Sequence, residues 1–293
     1  MMAGGHPAVL GAGRKIRPAT SSDQQKIADL IFFESHVHRH LDWRTPLDWL
    51  GYSPYWVLEE GRQITSALAC PTDPESIAWI RLFAYASHVS GQLAWPALWH
   101  AARNELAGQG GATVAAIATQ KWFDQILLAA QFHLAGHIVL LEWNGESAPP
   151  RPPSKAQVQV RAMTVLDLPR VVEVDTAAFE PLWRNSLPAL TKAYQQSSYA
   201  TVAEGENGLV GYQISSGGAF GAHLARLAVL PEIQGRGVGA VLVGDLIQHM
   251  QASGGSRVTV NTQANNAASL ALYTRLGFGR TGEKYPVYTF KVK

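Results

Sequence analysis

Two periods of apolar residues alternate along this chain. The stretch HLARLAVL, from His223 to Leu230, is short and dense in apolar residues, which reads as a buried strand. Directly after it Val238, Val241, Leu242, Leu246 and Met250 recur at helical spacing, so a helix begins near Val238. Strands interleaved with helices throughout predict a mixed α/β sheet rather than a bundle or a sandwich.

The pattern repeats. IRPATSSDQQKIADL from Ile16 lines up with VRAMTVLDLPRVVEV from Val160, which places Arg17, Thr20 and Asp23 opposite Arg161, Thr164 and Asp167. YWVLEEG from Tyr55 faces YATVAEG from Tyr199 at the same offset; after a one-residue shift, WIRLFA from Trp79 faces LARLAV from Leu224. In both copies the Thr-x-x-Asp step marks a helix start, where side-chain oxygens satisfy free amides. Between the copies lies EWNGESAPPRPPSKAQ, whose four prolines favour an extended connection. The expected organisation is a loose segment 1–14, a first domain 15–145, a linker 146–157 and a second domain 158–293.

The second copy carries a feature that secondary structure alone does not explain. In PEIQGRGVGAVLVGDL, Gly235, Gly237 and Gly239 crowd a strand-to-helix loop, although glycine is costly at a helix start. Unpaired amides and a positive helix dipole make such a loop an anion site, with Arg236 available for a charge-assisted bond. A phosphate-binding P-loop would need Gly-Lys-Ser/Thr, and a dinucleotide fingerprint would need a different glycine spacing followed by an acidic residue; both are missing. Tight helix–strand packing is the alternative reason for the glycines.

LAVLPEIQGRGVGAVLV resembles the acetyl-CoA loop of the GCN5-related N-acetyltransferases (GNAT), with Gln234, Gly237 and Gly239 matching the Gln/Arg-x-x-Gly-x-Gly/Ala pattern. VRAMTVLDLPRVVEVDTAAF is similar to that family's first strand and helix, and NNAASLALYTRLGFGRTGE to its last helix and following strand. The resemblance implies an α/β protein of two tandem GNAT-like domains, each a mixed, mostly antiparallel central sheet flanked by helices. It also implies an N-acetyltransferase using acetyl-CoA and no metal, whose pyrophosphate lies on the backbone of Gln234, Gly235, Arg236, Gly237, Val238, Gly239 and Ala240. The pantetheine arm would pair with the strand at Ala228 and Val229, and Asn266 would contact coenzyme A.

By the same resemblance Tyr273, seven residues after Asn266, is the general acid; a phenol with a pKa near 10 is protonated at neutral pH. His223 lies six residues before Val229, so strand alternation puts both on one face and makes His223 a candidate base. Glu180, Glu283 and a water chain are the alternatives. Phe179, Leu182 and Trp183 are expected to shape the pocket for a small-molecule amine or peptide amino terminus. A non-catalytic acyl-CoA sensor is the competing function.

The first copy lacks these features. VSGQLA, from Val89 to Ala94, faces the glycine loop and keeps one glycine out of register, and Leu128 faces Tyr273. HVHRH, from His36 to His40, has alternate histidines but falls in an expected helical region, and without cysteines nearby it reads as a polar, aromatic-rich wall rather than a metal site. The one cysteine, Cys70, excludes an intrachain disulfide and reads as core filler. A net charge of +2 gives no support for nucleic-acid binding, and no segment reaches the roughly 18 apolar residues of a membrane span. The expectation is a cytoplasmic monomer or homodimer.

Overall fold

A computed structural model describes residues 13–145, 157–218 and 221–293. Among these the chain forms two compact units, one running to Ala135 and taking in Pro286–Lys293, the other comprising Gly136–Tyr285. The expected boundaries, 15–145 and 158–293, differ from this division at both ends of the second domain. The chain's last strand is counted with the first unit, and most of the strand before the linker with the second. The expected linker 146–157 and N-terminal segment 1–14 lie outside the described residues, except for Gly13, Arg14 and Gln157; Arg14 already stands in the first strand.

Unit 1 contains β1 (Arg14–Pro18), α1 (Gln24–Phe33), β2 (His36–Arg39), β3 (Tyr55–Glu60), β4 (Gln63–Ala69), β5 (Ile77–Trp79), β6 (Leu82–Tyr85), α2 (Gly91–Gly108), β7 (Ala112–Ile117) and α3 (Lys121–Ala129). One sheet runs β1-β3-β4-β6-β2 with every pair antiparallel. Beside β5 lies β7, parallel to it, and β7 pairs antiparallel with Val287–Val292 near the C-terminus. Unit 2 receives β8 (His133–Trp143) from residue 136 onward and adds β9 (Gln159–Ala162), α4 (Leu168–Ala178), α5 (Leu187–Gln195), β10 (Tyr199–Gly205) and β11 (Gly208–Gly218). Then come β12 (Gly221–Val229), α6 (Val238–Ala252), β13 (Val258–Gln263), α7 (Ala267–Arg275) and β14 (Gly279–Val292), whose first half belongs here. Its sheet runs β8-β13-β12-β11-β10-β9, antiparallel except for β12 with β13. Mixed, mostly antiparallel sheets with helices are the architecture that the sequence implies.

The repeated helix-start motif folds identically in both units. Arg17 forks onto Asp23 at 2.7 and 2.8 Å, and Arg161 onto Asp167 at 2.8 Å twice, while each aspartate accepts the amide of its threonine. Bidentate charge-assisted bonds of this kind fix the angle between first strand and first helix. Cys70 is fully buried just beyond β4, and its burial pushes the thiol pKa up to about 12, which keeps it protonated and inert. Among the described residues no helix is long and apolar enough to cross a membrane.

The HVHRH stretch departs from expectation: it is the strand β2, not part of a helical region. Period-2 alternation puts three imidazoles on one face, and each stacks on an aromatic ring: His36 on Tyr85, His38 on Phe123 at 3.9 Å, and His40 on Trp79. His38 is buried, with Nε2 donating to the Ile80 carbonyl at 3.1 Å, and burial lowers its pKa to about 4. His40, buried near Arg81, is also held well below its ordinary value.

A histidine whose folded pKa is depressed contributes stability above its unfolded pKa of about 6.5 and loses it as pH falls toward the folded value. Unit 1 should therefore weaken between pH 6.5 and 4, by up to about 3 kcal/mol from His38. Urea denaturation across that range measures the slope, and His38→Leu should flatten it; an equally steep acid slope in the variant would contradict the assignment.

Candidate functional site

Strand β12 is paired on both sides only over its first part. Ala222, His223 and Leu224 bond to β13, whereas Asn261, Thr262 and Gln263 of β13 bond only toward β8. The cause lies in β12 itself. Ile214 pairs with Arg226 but Ser215 with Leu224, so Ala225 is an extra residue, a bulge that bends the strand away. From 225 to 229 the β13-facing edge of β12 has no strand partner among the described residues. The Gln234 side chain caps one group there, donating to the Val229 carbonyl at 2.9 Å. An unpaired edge of this length is a template for another extended, amide-bearing chain.

The edge leads into the glycine loop. Gly235 and Gly237 have φ of +74° and +94°, a region that disfavours any side chain, and a Cβ on Gly235 would stand in open space. Gly237 is the N-cap of α6 and provides no side-chain cap, so the first-turn amides of α6 remain available as donors. Gly239 has a different reason: a Cβ there would meet Leu272 Cδ2 at 3.3 Å, so this glycine lets α6 close on α7. Packing thus explains one of the three glycines and backbone conformation the other two.

A cavity of about 470 Å³ joins these parts. Of the residues singled out in the sequence it brings together Phe179, Ala228, Val229, Gln234, Gly235, Gly237, Val238, Gly239, Ala240 and Asn266. Asn266 spends its Oδ1 on capping α7, accepting from the Ser269 amide at 3.0 Å. The residues present therefore suit an elongated ligand with an amide-bearing arm and a phosphate end.

The remaining expected residues, Arg236 among them, are not part of its lining. Tyr273 is on α7, but its ring turns into the core, 4% exposed and 5.5 Å from Phe278; burial raises its pKa well above 10 and keeps the phenol protonated. Leu182 and Trp183 form a half-buried turn after α4. Glu180 and Glu283 are exposed. The same-face argument for His223 and Val229 fails, because the bulge at Ala225 inverts the alternation. Ala222, Leu224, Leu227 and Val229 face α6, while His223 shares the opposite face with Arg226 and Ala228. His223 Nδ1 meets Thr259 Oγ1 at 2.9 Å, and partial burial lowers its pKa, so the ring is neutral at pH 7.

On that face lies a cluster that sequence reasoning missed. Asp175, fully buried on α4, receives Arg226 Nε and Nη2 at 2.7 and 2.9 Å, the Tyr212 hydroxyl at 2.5 Å and the Asn185 amide at 2.9 Å. Arg226 also donates to the Trp183 carbonyl at 2.6 Å and lies 3.6 Å from the Phe179 ring centre. One ion pair therefore fastens the whole 179–185 turn to β12. The signal was Arg226 itself, an arginine inside an apolar strand and repeated as Arg81 in the first copy. Nothing local in the sequence marks Asp175 as its partner.

Unit 1 arranges the same place differently. Its counterpart of β12 is broken into β5, which pairs with β7, and β6, which pairs with β4. The freed edge of β6 is filled by β2, through His36–Tyr85, Val37–Ala84, His38–Phe83 and Arg39–Leu82 pairs. The edge left open in unit 2 is closed in unit 1 by the chain itself. No positive-φ residue occurs between 77 and 109 among the described residues, so the loop before α2 lacks the backbone conformation of Gly235 and Gly237 as well.

Residues 168–278 match the model of the Acetyltransferase (GNAT) family. N-alpha-acetyltransferase MAK3 of Arabidopsis thaliana is 39% identical over 69 residues, 24% of this chain and 36% of that protein. The [ribosomal protein bS18]-alanine N-acetyltransferase of Escherichia coli is 25% identical over 119 residues, 41% of this chain and 79% of that protein. A tandem GNAT protein from the clavulanic acid biosynthesis pathway shares the fold with a TM-score of 0.63 at 16% identity, covering 96% of this chain and 99% of that one.

Replacing Asp175 with Asn would leave the buried Arg226 charge without its counterion, which costs about 3–5 kcal/mol. Urea denaturation should report that loss for Asp175→Asn. The Asp175→Asn/Arg226→Met pair should cost less than the sum of the single changes. Strict additivity would show that the two side chains do not act as a unit.

Proposed function

Because the chain belongs, through its second unit, to the acetyltransferase (GNAT) family, we propose that unit 2 acetylates a primary amine at the expense of acetyl-CoA. The acceptor is an amine of a small molecule or the amino terminus of a protein; two relatives named as N-alpha and alanine N-acetyltransferases favour the latter. The observation that carries the reading is the unpaired edge of β12 running into two positive-φ glycines at the start of α6. The competing sensor function would use the same edge and loop without chemistry.

Bound acetyl-CoA supplies a thioester, whose acyl carbon accepts the amine and whose sulfur leaves as a thiolate. The chain's own groups position and shuttle protons around that exchange. Backbone groups at 225–229, including Ala228 and Val229, align the arm by strand-like bonds. The amides of 235–240 and the Arg236 guanidinium neutralise the pyrophosphate. Phe179, Leu182 and Trp183, fastened by Arg226 and Asp175, form the acceptor side. Neutral His223 takes the proton of the incoming ammonium, directly or through water. Tyr273, whose ring packs beside Phe278 outside the cavity lining, would have to turn its hydroxyl to the cavity to donate toward the departing sulfur. Burial makes it a weaker acid than a free phenol, so its first role is a hydrogen bond that stabilises the developing charge. Unit 1, with β2 in the equivalent edge, neither binds the cofactor nor catalyses.

Thiol release from acetyl-CoA across a library of amines and N-terminal peptides tests the proposal. Tyr273→Phe should lower kcat about 100-fold with little change in KM for acetyl-CoA; unchanged turnover would rule out its role. Gly237→Val, forced to hold a branched side chain at φ +94°, should lose acetyl-CoA binding. Binding without amine-dependent release would instead support the sensor.

The pH dependence separates the bases. With its pKa lowered by burial, His223 should give an acid limb in kcat/KM below pH 6.5, lost as the ring takes up a proton. His223→Gln should remove that limb; an identical limb in the variant would assign the base elsewhere.

A further inference from the structure

Where unit 2 has its cofactor cavity, at the end of β12 between α6 and α7, unit 1 has a cavity of about 840 Å³ at the end of β6 between α2 and α3. Its walls are aromatic. Trp95 and Trp99 stack at 5.8 Å; His36 and Tyr85 stack at 4.6 Å, with Trp122 edge-on to both at 5.5 Å. The glycine that unit 1 kept, Gly91, belongs to this wall: a Cβ there would lie 2.7 Å from the Tyr85 ring. Unit 1 therefore uses its glycine to admit an aromatic ring, where unit 2 uses two of its glycines to shape the loop backbone.

The electrostatics are one-sided. Arg103 is the formal charge on the lining, and among the described residues no aspartate or glutamate lies there. Trp95, 3% exposed, stands edge-on to Phe83, Phe123 and Phe132, which fixes its ring in the wall. Flat aromatic faces favour stacked or edge-on rings, and a cavity of this size suits a small organic ligand rather than a chain.

We propose that unit 1 binds, in the cavity between α2 and α3, a planar aromatic or heteroaromatic molecule carrying an anionic group. The strand β2 that closes the edge of β6 also supplies one wall, through His36. The site thus arises from the same change that removes the cofactor slot, and it works independently of acetyl-CoA.

Isothermal calorimetry on the full chain with 2-naphthoate tests this, against cyclohexylacetate, 2-naphthylmethylamine and coenzyme A. Saturable binding of 2-naphthoate is expected, with both analogues at least about tenfold weaker and saturating coenzyme A without effect. Arg103→Gln, on an exposed side chain, should weaken binding about 3–5-fold, and Trp122→Ala roughly tenfold. Absence of saturable binding, displacement by coenzyme A, equal binding of cyclohexylacetate, or parent-like affinity in Arg103→Gln would each overturn the proposal. Because coenzyme A is a separate arm, loss of this site leaves the reading of unit 2 standing.

Discussion

The organising constraint of unit 2 is a backbone edge that the fold leaves unpaired. Inserting Ala225 into β12 breaks the register with β11 and turns the strand from β13 after three paired residues. Buried or semi-buried peptide groups without partners are expensive, so an edge of this kind persists where something else satisfies it. The glycine loop, the capless start of α6 and the Phe179 wall are all arranged along that edge. The Asp175–Arg226 pair matters for the same reason: Arg226 sits directly after the bulge and carries the 179–185 turn with it.

The first unit shows what happens when the same opening is closed from within. Its strand also breaks, between β5 and β6, at Ile80 and Arg81, the residues that face Ala225 and Arg226. The chain then folds β2 onto the vacant edge and lines it with three stacked histidines. The buried arginine survives as Arg81, but its carboxylate now comes from Asp42 at 2.7 Å in a loop, and its guanidinium lies on Trp49. Two copies of one unit have kept the bent strand and its arginine while diverging in what fills the gap.

Local features of this design were legible in the sequence. The Thr-x-x-Asp starts, the helix at Val238 and the loop glycines follow from short-range spacing, and ten of the expected residues meet at one cavity. What escaped depends on pairing between distant segments. A bulge is one residue of register, invisible until Ser215 and Leu224 are seen opposite each other, and it moved His223 to the other face. Histidines at alternate positions were read as part of a helical region because the strand they join, β6, lies over 40 residues away. Division of the chain at Ala135 and Pro286 was hidden for a similar reason: composition marks a linker, whereas strand partnership decides which unit a segment completes.

A crystal structure of the full chain soaked with acetyl-CoA tests the central claim most directly. The account predicts one bound molecule, its arm hydrogen-bonded to the β12 edge between 225 and 229 and its pyrophosphate on the amides of 235–240. Acetyl-CoA found along β6 in place of β2, or bound away from the β12 edge, would contradict it.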